Sequence, residues 1–287
     1  MLDKIDAILK ETGNYIQEAQ VFGESGEIYW HSSVLDKNNH SLSAGFANSR
    51  LNARKIAIAE FLERKTCEGL TRNPKSYTDW GFDKIPTACG FAAGFNKNNV
   101  VARSIAESAE RWVMSKWIDE NYLIENLSAN DIHSELDPIS KFFFKQFDEV
   151  LFFSKVVLVN LGTSFISINV AQTMGIKNGG IFPGSSSQTT GGSIWQHALL
   201  ESFRHLLVIR NNEALPGVFP DNRVRYFAKH ADIALAQINR ATKTEWPIPN
   251  VALHKSESFD NGDYFLARTI LDGWKSWHDG PIDRFLY

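Results

Sequence analysis

Polar and apolar side chains partly alternate near the start of the chain, with aromatic and β-branched residues frequent among them. Tyr15 to Phe22 and Glu27 to Val34 read as two strands joined by a turn at Gly23–Gly26, and Ser41 to Ala47 continues the sheet. Residues 3–12, just before, carry a short amphipathic helical pattern. The period becomes clearly helical over residues 52–68, NARKIAIAEFLERKTCE, with Asn52 as N-cap and Gly69 just past the end. Residues 73–94 are rich in Pro and Gly and read as a loop, NPKSYTDWGFDKIP, followed by the small-residue stretch TACGFAAG. A second long helix spans roughly 98–118, and Asp137-Pro138 supplies the N-cap and first position of a helix running to about 148. Val150 to Leu161 and Ser164 to Val170 read as buried strands, Gly175 to Gly192 as a Gly/Ser/Thr-rich loop, and 193–210 as a third long helix. The pattern closes with a helix over about 222–241, a strand from Val251 to His254 and a helix over 262–278. Strands followed by long helices, twice over, predict a mixed α/β fold of helix and sheet layers.

Two of those helices echo one another. Ile58-Ala59-Glu60-x-x-Glu63-Arg64 returns forty-seven positions on as Ile105-Ala106-Glu107-x-x-Glu110-Arg111, and the third helix carries a weaker form, Ala198-Leu199-Leu200-Glu201-x-x-Arg204. One repeat at that period is no solenoid; a duplicated half related by a pseudo-two-fold explains it better. Residues three apart share a helix face, so Glu60 and Glu63 point the same way, as do Glu107 and Glu110. Their neighbours are apolar nearly all round, which predicts largely buried helices. Carboxylates there need counter-charge. Arg64 and Arg111 supply some of it, and a divalent cation that favours oxygen ligands and phosphates supplies the rest. The alternative is an ordinary solvated face of intrahelical ion pairs. A di-iron site would need Glu-x-x-His pairs, whereas His197 and His205 lie four residues from Glu201.

The 287 residues and 43% hydrophobic content suit one domain, divided into N-terminal helix and strands (1–48), a nucleotide-binding core (49–210) and a C-terminal helical region (211–287). A net charge of −3 with no Lys/Arg run removes the electrostatic footprint of nucleic-acid binding. The opening MLDKIDAILKET lacks the apolar stretch of a signal peptide. The apolar run from Val150 to Leu161 is too short for a bilayer. Cys67 and Cys89 sit in no paired motif and read as reduced thiols, so the expectation is a cytoplasmic protein without a membrane partner. No G-x-S-x-G is present to suggest a hydrolase, and His133, His230, His254 and His278 are scattered. FFFKQF (142–147) reads as core packing. PGSSSQTTGG (183–192) precedes a helix and reads either as a solvent loop or as a phosphate cradle at the helix N-terminus. It is not a Walker loop.

In order and spacing these motifs resemble the YcaO superfamily, which activates peptide-backbone amides with ATP. The matching features are the Glu60–Arg64 helix, the run Cys89-Gly90-Phe91-Ala92-Ala93-Gly94, the Glu107–Arg111 helix, and Glu201 following the Gly/Ser-rich segment. The resemblance spans roughly residues 40–210 and implies a YcaO-like fold. It implies that Glu60, Glu63, Glu107, Glu110 and Glu201 hold Mg2+, and that Arg64, Arg111, Ser185, Ser186, His197 and Arg204 contact ATP. It further implies azoline, thioamide or amidine formation in the maturation of ribosomal peptides of the bacteriocin kind. The peptide would be presented by a partner, a leader-recognition or E1-like subunit, in a homo-oligomer or hetero-complex. Departures from the family pattern are Phe95 for an Asn after the Gly/Ala run, Asn99 for an acidic residue, and Phe46 within a Gly-Lys-Gly position. His197 stands for an Arg, Arg204 for a Gln, and the chain ends DRFLY rather than in a Pro-x-Pro-x-Pro tail. These departures keep a second reading open, a non-catalytic subunit that binds nucleotide or peptide and scaffolds a modifying complex.

Overall fold

The computed structural model describes residues 9–23, 26–188, 194–211, 221–276 and 279–285. Its contacts gather into two compact units, Met1–Ser104 with His254–Arg268, and Ile105–Leu253 with Thr269–Tyr287. The chain is mixed α/β, as its pattern predicts.

In the first unit β1 (Tyr15–Phe22), β2 (Ile28–Leu35) and β3 (Ser41–Ala47) form an antiparallel sheet, with Tyr15 opposite Leu35 and Trp30 opposite Ala47. Helix α1 (Arg50–Thr71) starts at Ser49, whose side chain accepts the Asn52 N–H one turn in; the cap is thus Ser49 rather than Asn52. The helix lies against β3 because β3 is built of small residues. A Cβ on Gly45 would sit 2.0 Å from the Ala53 carbonyl oxygen, and Ser43 Oγ donates to the Ala57 carbonyl at 2.6 Å. Ala57, Ile58, Phe61 and Leu62 close a core with Val34 and Tyr264. The helix is not buried all round as its apolar content predicts, since Leu51 and Ile56 are exposed.

The segment 73–94 is more ordered than its Pro/Gly content predicts. Asn73 caps a short helix, α2 (Pro74–Asp79), and residues Phe91–Gly94 form β4. Strand β4 pairs with β10 (Tyr264–Leu271), which in turn pairs with β9 (Val251–Phe259). Trp80, Phe82, Phe91 and Leu266 pack beside this sheet. The predicted helix over 262–278 is therefore a strand for its first half. Both faces of β10 are buried, so its sequence shows no alternation. The 211–287 region is correspondingly not helical throughout.

Helix α3 (Lys97–Glu120) carries the second Glu pair, and its residues from Ile105 onward belong to the second unit. There β5 (Glu125–Leu127), β6 (Glu149–Asn160), β7 (Phe165–Lys177) and β8 (Gly180–Gln188) form an antiparallel sheet in that order. Two short helices, α4 (Ala129–Glu135) and α5 (Pro138–Phe144), precede β6. Helix α5 ends at Phe144, four residues earlier than the pattern predicts.

The segment 175–192, read from sequence as a loop, is mostly strand. Asn178 and Gly179 both have positive φ (50° and 76°) and turn β7 tightly into β8. Its last residues, 189–192, lie outside the described ones. Helix α6 (Ile194–Asn211) packs on β8 and β7, with Thr173 and Ser202 hydroxyls 2.8 Å apart and Phe203 stacked on Phe143. The region read as one helix over 222–241 is two, α7 (Asp221–Phe227) and α8 (Ala231–Ile238), broken at 228–230. Of the predicted helix over 3–12, residues 3–8 lie outside the described ones and residues 9–11 are helical.

Candidate functional site

Strand β8 lies at the edge of its sheet, so alternate backbone groups face away from any strand partner. Helix α6 serves one of them. It approaches closely because Gly184 has no side chain: a Cβ there would lie 1.9 Å from the Ala198 carbonyl oxygen. The approach brings Glu201 alongside the edge, where its Oε2 accepts the Ser185 N–H at 3.2 Å. The Ser185 side chain points away from the α6-facing Gly184, by strand alternation. Its hydroxyl donates to Glu110 Oε1 of α3 at 2.6 Å and lies 3.3 Å from Glu201 Oε2.

Two carboxylates from separate helices thus converge on one serine. A hydroxyl has a single proton, which the short contact assigns to Glu110. Cationic groups surround the pair. Arg111 Nη2 is 3.6 Å from Glu110 Oε1, and His197 Nε2 is 3.3 Å from Glu201 Oε1. Glu110 is only 6% exposed, whereas the His197 side chain is 56% exposed. Burial opposes the charge on Glu201, but the His197 hydrogen bond and the charges of His197 and Arg111 outweigh it and hold the carboxyl below its ordinary range. Partial desolvation of the ring opposes protonation of His197, yet its hydrogen bond to Glu201 and the Glu201 charge raise its pKa above the ordinary 6.5. His205 moves the other way: burial lowers its pKa, against the bond to the Pro183 carbonyl at 2.7 Å, for which Nδ1 must be the protonated nitrogen.

Beside the pair lies a cavity of about 170 Å³ lined by Arg111, Met114, Gln172, Pro183, Gly184, Ser185, Glu201, Arg204 and His205. All nine belong to the second unit. The sequence pointed to Arg111, Ser185, Glu201 and Arg204. It did not point to Gln172 or His205: Gln172 is one polar residue within a buried strand, in no motif, and His205 was weighed only as a di-iron ligand.

The remaining expected residues lie as follows. His197 pairs with Glu201 from the solvent side. Ser186 is buried opposite Ala171 and does not line the cavity; both it and Ser185 are strand residues, not members of a loop at the start of α6. Glu107 is half-buried, one turn before Glu110, and is not among the lining residues. Glu60, Glu63 and Arg64 belong to the first unit. Glu60 repeats there what Glu201 does for β8. It accepts the Ala44 N–H of edge strand β3 at 3.1 Å and pairs with Arg64, which also donates to the Leu42 carbonyl at 2.6 Å. Glu63 is half-buried on the same helix.

Among the described residues, no three His, Cys, Asp or Glu side chains gather at metal-binding spacing. The Glu110–Glu201 pair nevertheless suits Mg2+. This ion takes one or two carboxylates and completes its shell with water and phosphate. With the one hydroxyl proton directed to Glu110, the two acids keep oxygen lone pairs for a cation, and Arg111 and Arg204 suit an anion beside it. Among the described residues no helix is long and apolar enough to cross a membrane.

No family model matches the sequence, and no curated protein matches it. Solved structures do. The YcaO from Methanopyrus kandleri bound with AMPPCP and Mg2+ superposes with a TM-score of 0.61 at 14% identity, covering 96% of this chain and 91% of that one. A heterocyclase in complex with substrate and cofactor superposes with a TM-score of 0.55 at 8% identity over 97% of this chain, which spans 53% of that protein.

Proposed function

We propose that this chain, which has the YcaO fold, binds a magnesium–ATP complex and activates a peptide-backbone amide. The observation that carries the reading is the meeting of Glu110 and Glu201 on Ser185, beside a cavity lined by Arg111 and Arg204. The neighbour from Methanopyrus kandleri, bound with AMPPCP and Mg2+, supports it.

The nucleotide supplies a phosphoryl group. After a nucleophile adds to the amide carbon, the former carbonyl oxygen takes that group and leaves as phosphate, giving an azoline, thioamide or amidine. The residues do the rest. Glu110 and Glu201 hold Mg2+, and Ser185 fixes the separation of the two carboxylates. Arg111 and Arg204 line the cavity and would offset the negative charge of bound phosphates. His197 keeps Glu201 ionised and turned toward the serine. His205, whose pKa burial lowers, is anchored by its Nδ1–H to the Pro183 carbonyl. The substrate is a ribosomal peptide presented by a partner protein in the cytoplasm.

Calorimetric titration with Mg-ATP tests this. The wild-type chain binds, and Glu201→Gln, which keeps shape but loses charge, binds at least roughly tenfold more weakly. Absence of binding to the wild type, with or without a partner, overturns the reading.

A second reading is a nucleotide- or peptide-binding subunit that does not turn over. It is favoured by the lack of a third acidic ligand near the pair among the described residues, and by Glu60 being committed to Ala44 and Arg64. Phosphate release on adding substrate peptide separates the two.

A further inference from the structure

Gln172 on β7 is 1% exposed, and neither Nε2 nor Oε1 has a hydrogen-bond partner. A buried amide left in that state costs on the order of 1–3 kcal/mol per unmet group. The sheet offers no reason to keep it. Its neighbours on the same face of the strand are Val170 and Met174, and an apolar side chain of the same length would fill the place beside them without penalty. Gln172 lines the cavity beside the acidic pair, so the two groups face a space that a ligand can enter.

The chemistry of the side chain narrows what that ligand presents. A carboxamide offers two N–H donors next to a carbonyl acceptor. Phosphate and carboxylate oxygens only accept and would leave Oε1 unmet; ammonium and guanidinium groups only donate and would leave Nε2 unmet. A partner that satisfies both carries one donor and one acceptor side by side and is neutral. One extended residue of a peptide does so, since its N–H and C=O point the same way, and so does the edge of adenine.

Position separates these two. Gln172 stands directly opposite Ser185 in the β7–β8 ladder. Directly paired residues have β-carbons about 5 Å apart. Whatever Gln172 binds therefore lies within one side-chain length of the serine that joins Glu110 and Glu201. If those acids hold the metal and the terminal phosphates, the nucleobase is set off by a ribose and further phosphates. The group beside the phosphate being transferred is the acceptor amide. Size agrees: a cavity of about 170 Å³ is smaller than the ~300–1,000 Å³ of sites that enclose whole ligands. It takes one planar group of a longer chain.

We propose that Gln172 receives the backbone of the peptide substrate, Nε2–H donating to the carbonyl oxygen of one extended residue and Oε1 accepting the N–H of that same residue. The donated bond draws charge toward the carbonyl oxygen and orients it to the transferring phosphate. This rests on the magnesium–ATP reading for the identity of the neighbouring group, though the amide site itself can be tested without nucleotide.

The test uses the full chain with glutamine side chains labelled with nitrogen-15, and N-acetylglycine N-methylamide as probe. The Gln172 side-chain resonance is the one missing in Gln172→Met. It is expected to shift saturably with the probe. In Gln172→Met, probe affinity read from neighbouring resonances falls roughly tenfold or more, while Mg-ATP affinity by calorimetry stays within about twofold. If the Met variant does not fold, Gln172→Asn keeps the amide but withdraws it by one methylene, and is expected to weaken the probe alone. A shift caused by adenosine in place of the capped peptide, a shift with neither, or undiminished probe binding in the variants would overturn the proposal. Failure of Mg-ATP to bind the wild type sinks the nucleotide reading instead, and the probe titration still decides the amide site.

Discussion

Ser185 on β8 and Glu110 on α3 are joined by a 2.6 Å hydrogen bond between residues seventy-five positions apart. The same hydroxyl oxygen lies 3.3 Å from Glu201. It therefore ties one buried acid and spaces it from a second. Ser185→Ala removes a hydrogen bond to a charged group, worth about 1.5–3 kcal/mol, and lets the two carboxylates repel across the gap. Urea unfolding is expected to show a loss of about that size. Mg2+ is expected to recover part of it, because a cation bound only by the folded state stabilises by mass action. A variant as stable as wild type, indifferent to Mg2+, contradicts the geometry.

The Glu201–His197 pair sets a pH dependence. Partial desolvation pulls the His197 pKa down, but Glu201 carries it above 6.5. A histidine whose pKa rises on folding contributes stability that is whole below pH 6.5 and is lost as pH climbs through the raised value. The Glu201 pKa is lowered from 4.5, so its contribution is whole above that pH and is lost in stronger acid. The pair is accordingly strongest between pH 4.5 and 6.5. His205 opposes it in acid, since a lowered pKa makes protonation unfavourable to the fold. Comparing His197→Gln with wild type cancels the His205 contribution. The stability difference between the two is expected to be largest between pH 4.5 and 6.5 and to fade as pH climbs through the raised His197 value above 6.5. A difference that grows with pH reverses the sign and rejects the pair.

How legible this site was in the chain varies residue by residue. The long helices announced themselves by period, and Glu110, Arg111, Glu201 and Arg204 stood out because acids and arginines recur on apolar helices. Strand β8 was hidden. It contains Pro183, Gly184 and three serines, which read as loop. Edge position tolerates the proline, and the small residues exist so that α6 can approach. The Asn178-Gly179 turn was a readable hairpin signal, outweighed by the glycine and serine content around it. β10 was mistaken for a helix because burial on both faces erases the two-residue alternation. Glu60 matched a ligand motif, yet the Ala44 N–H that occupies its Oε2 belongs to a strand pairing that spacing alone cannot show. Gln172 needed the cross-strand register to become visible at all.

The two glycines that seat helices on edge strands give a prediction of opposite sign to a third. A Cβ on Gly45 or Gly184 would come within 2.0 Å of a helix carbonyl oxygen, so alanine at either forces the helix off the sheet. Overpacking of this kind costs about 1–3 kcal/mol and sometimes more. Gly69, inside α1, has nothing within 4 Å of its would-be Cβ. Gly69→Ala is expected to stabilise by about 0.5–1 kcal/mol through the helix propensity of alanine. Thermal unfolding of the three variants reads this directly, with melting points below wild type for the first two and above it for the third. The same sign for all three would place the helices further from the sheets than the structure does.

Arg268 offers the sharpest test of the first unit. It is fully buried on β10 and donates to three backbone carbonyls, those of Trp80 at 2.6 Å, Ile85 at 2.7 Å and Thr87 at 2.8 Å. Its guanidinium carbon lies 4.6 Å from the ring centres of both Phe82 and Phe91. The planar fork thus pins the 80–87 segment to the sheet, beside the two rings, which stack on one another 5.4 Å apart. Arg268→Met matches the length but leaves three buried carbonyls unmet, and is expected to cost about 3–5 kcal/mol, at the low end of roughly 1–3 kcal/mol for each unmet group. Arg268→Lys keeps the charge but cannot reach three divergent acceptors from one nitrogen, so it is expected to rescue less than half of that loss. Limited proteolysis adds a local readout. Cleavage within 80–87 should rise in both variants before the rest of the chain is cut. If lysine restored full stability, charge alone would be holding the segment, and the three directed hydrogen bonds would be incidental.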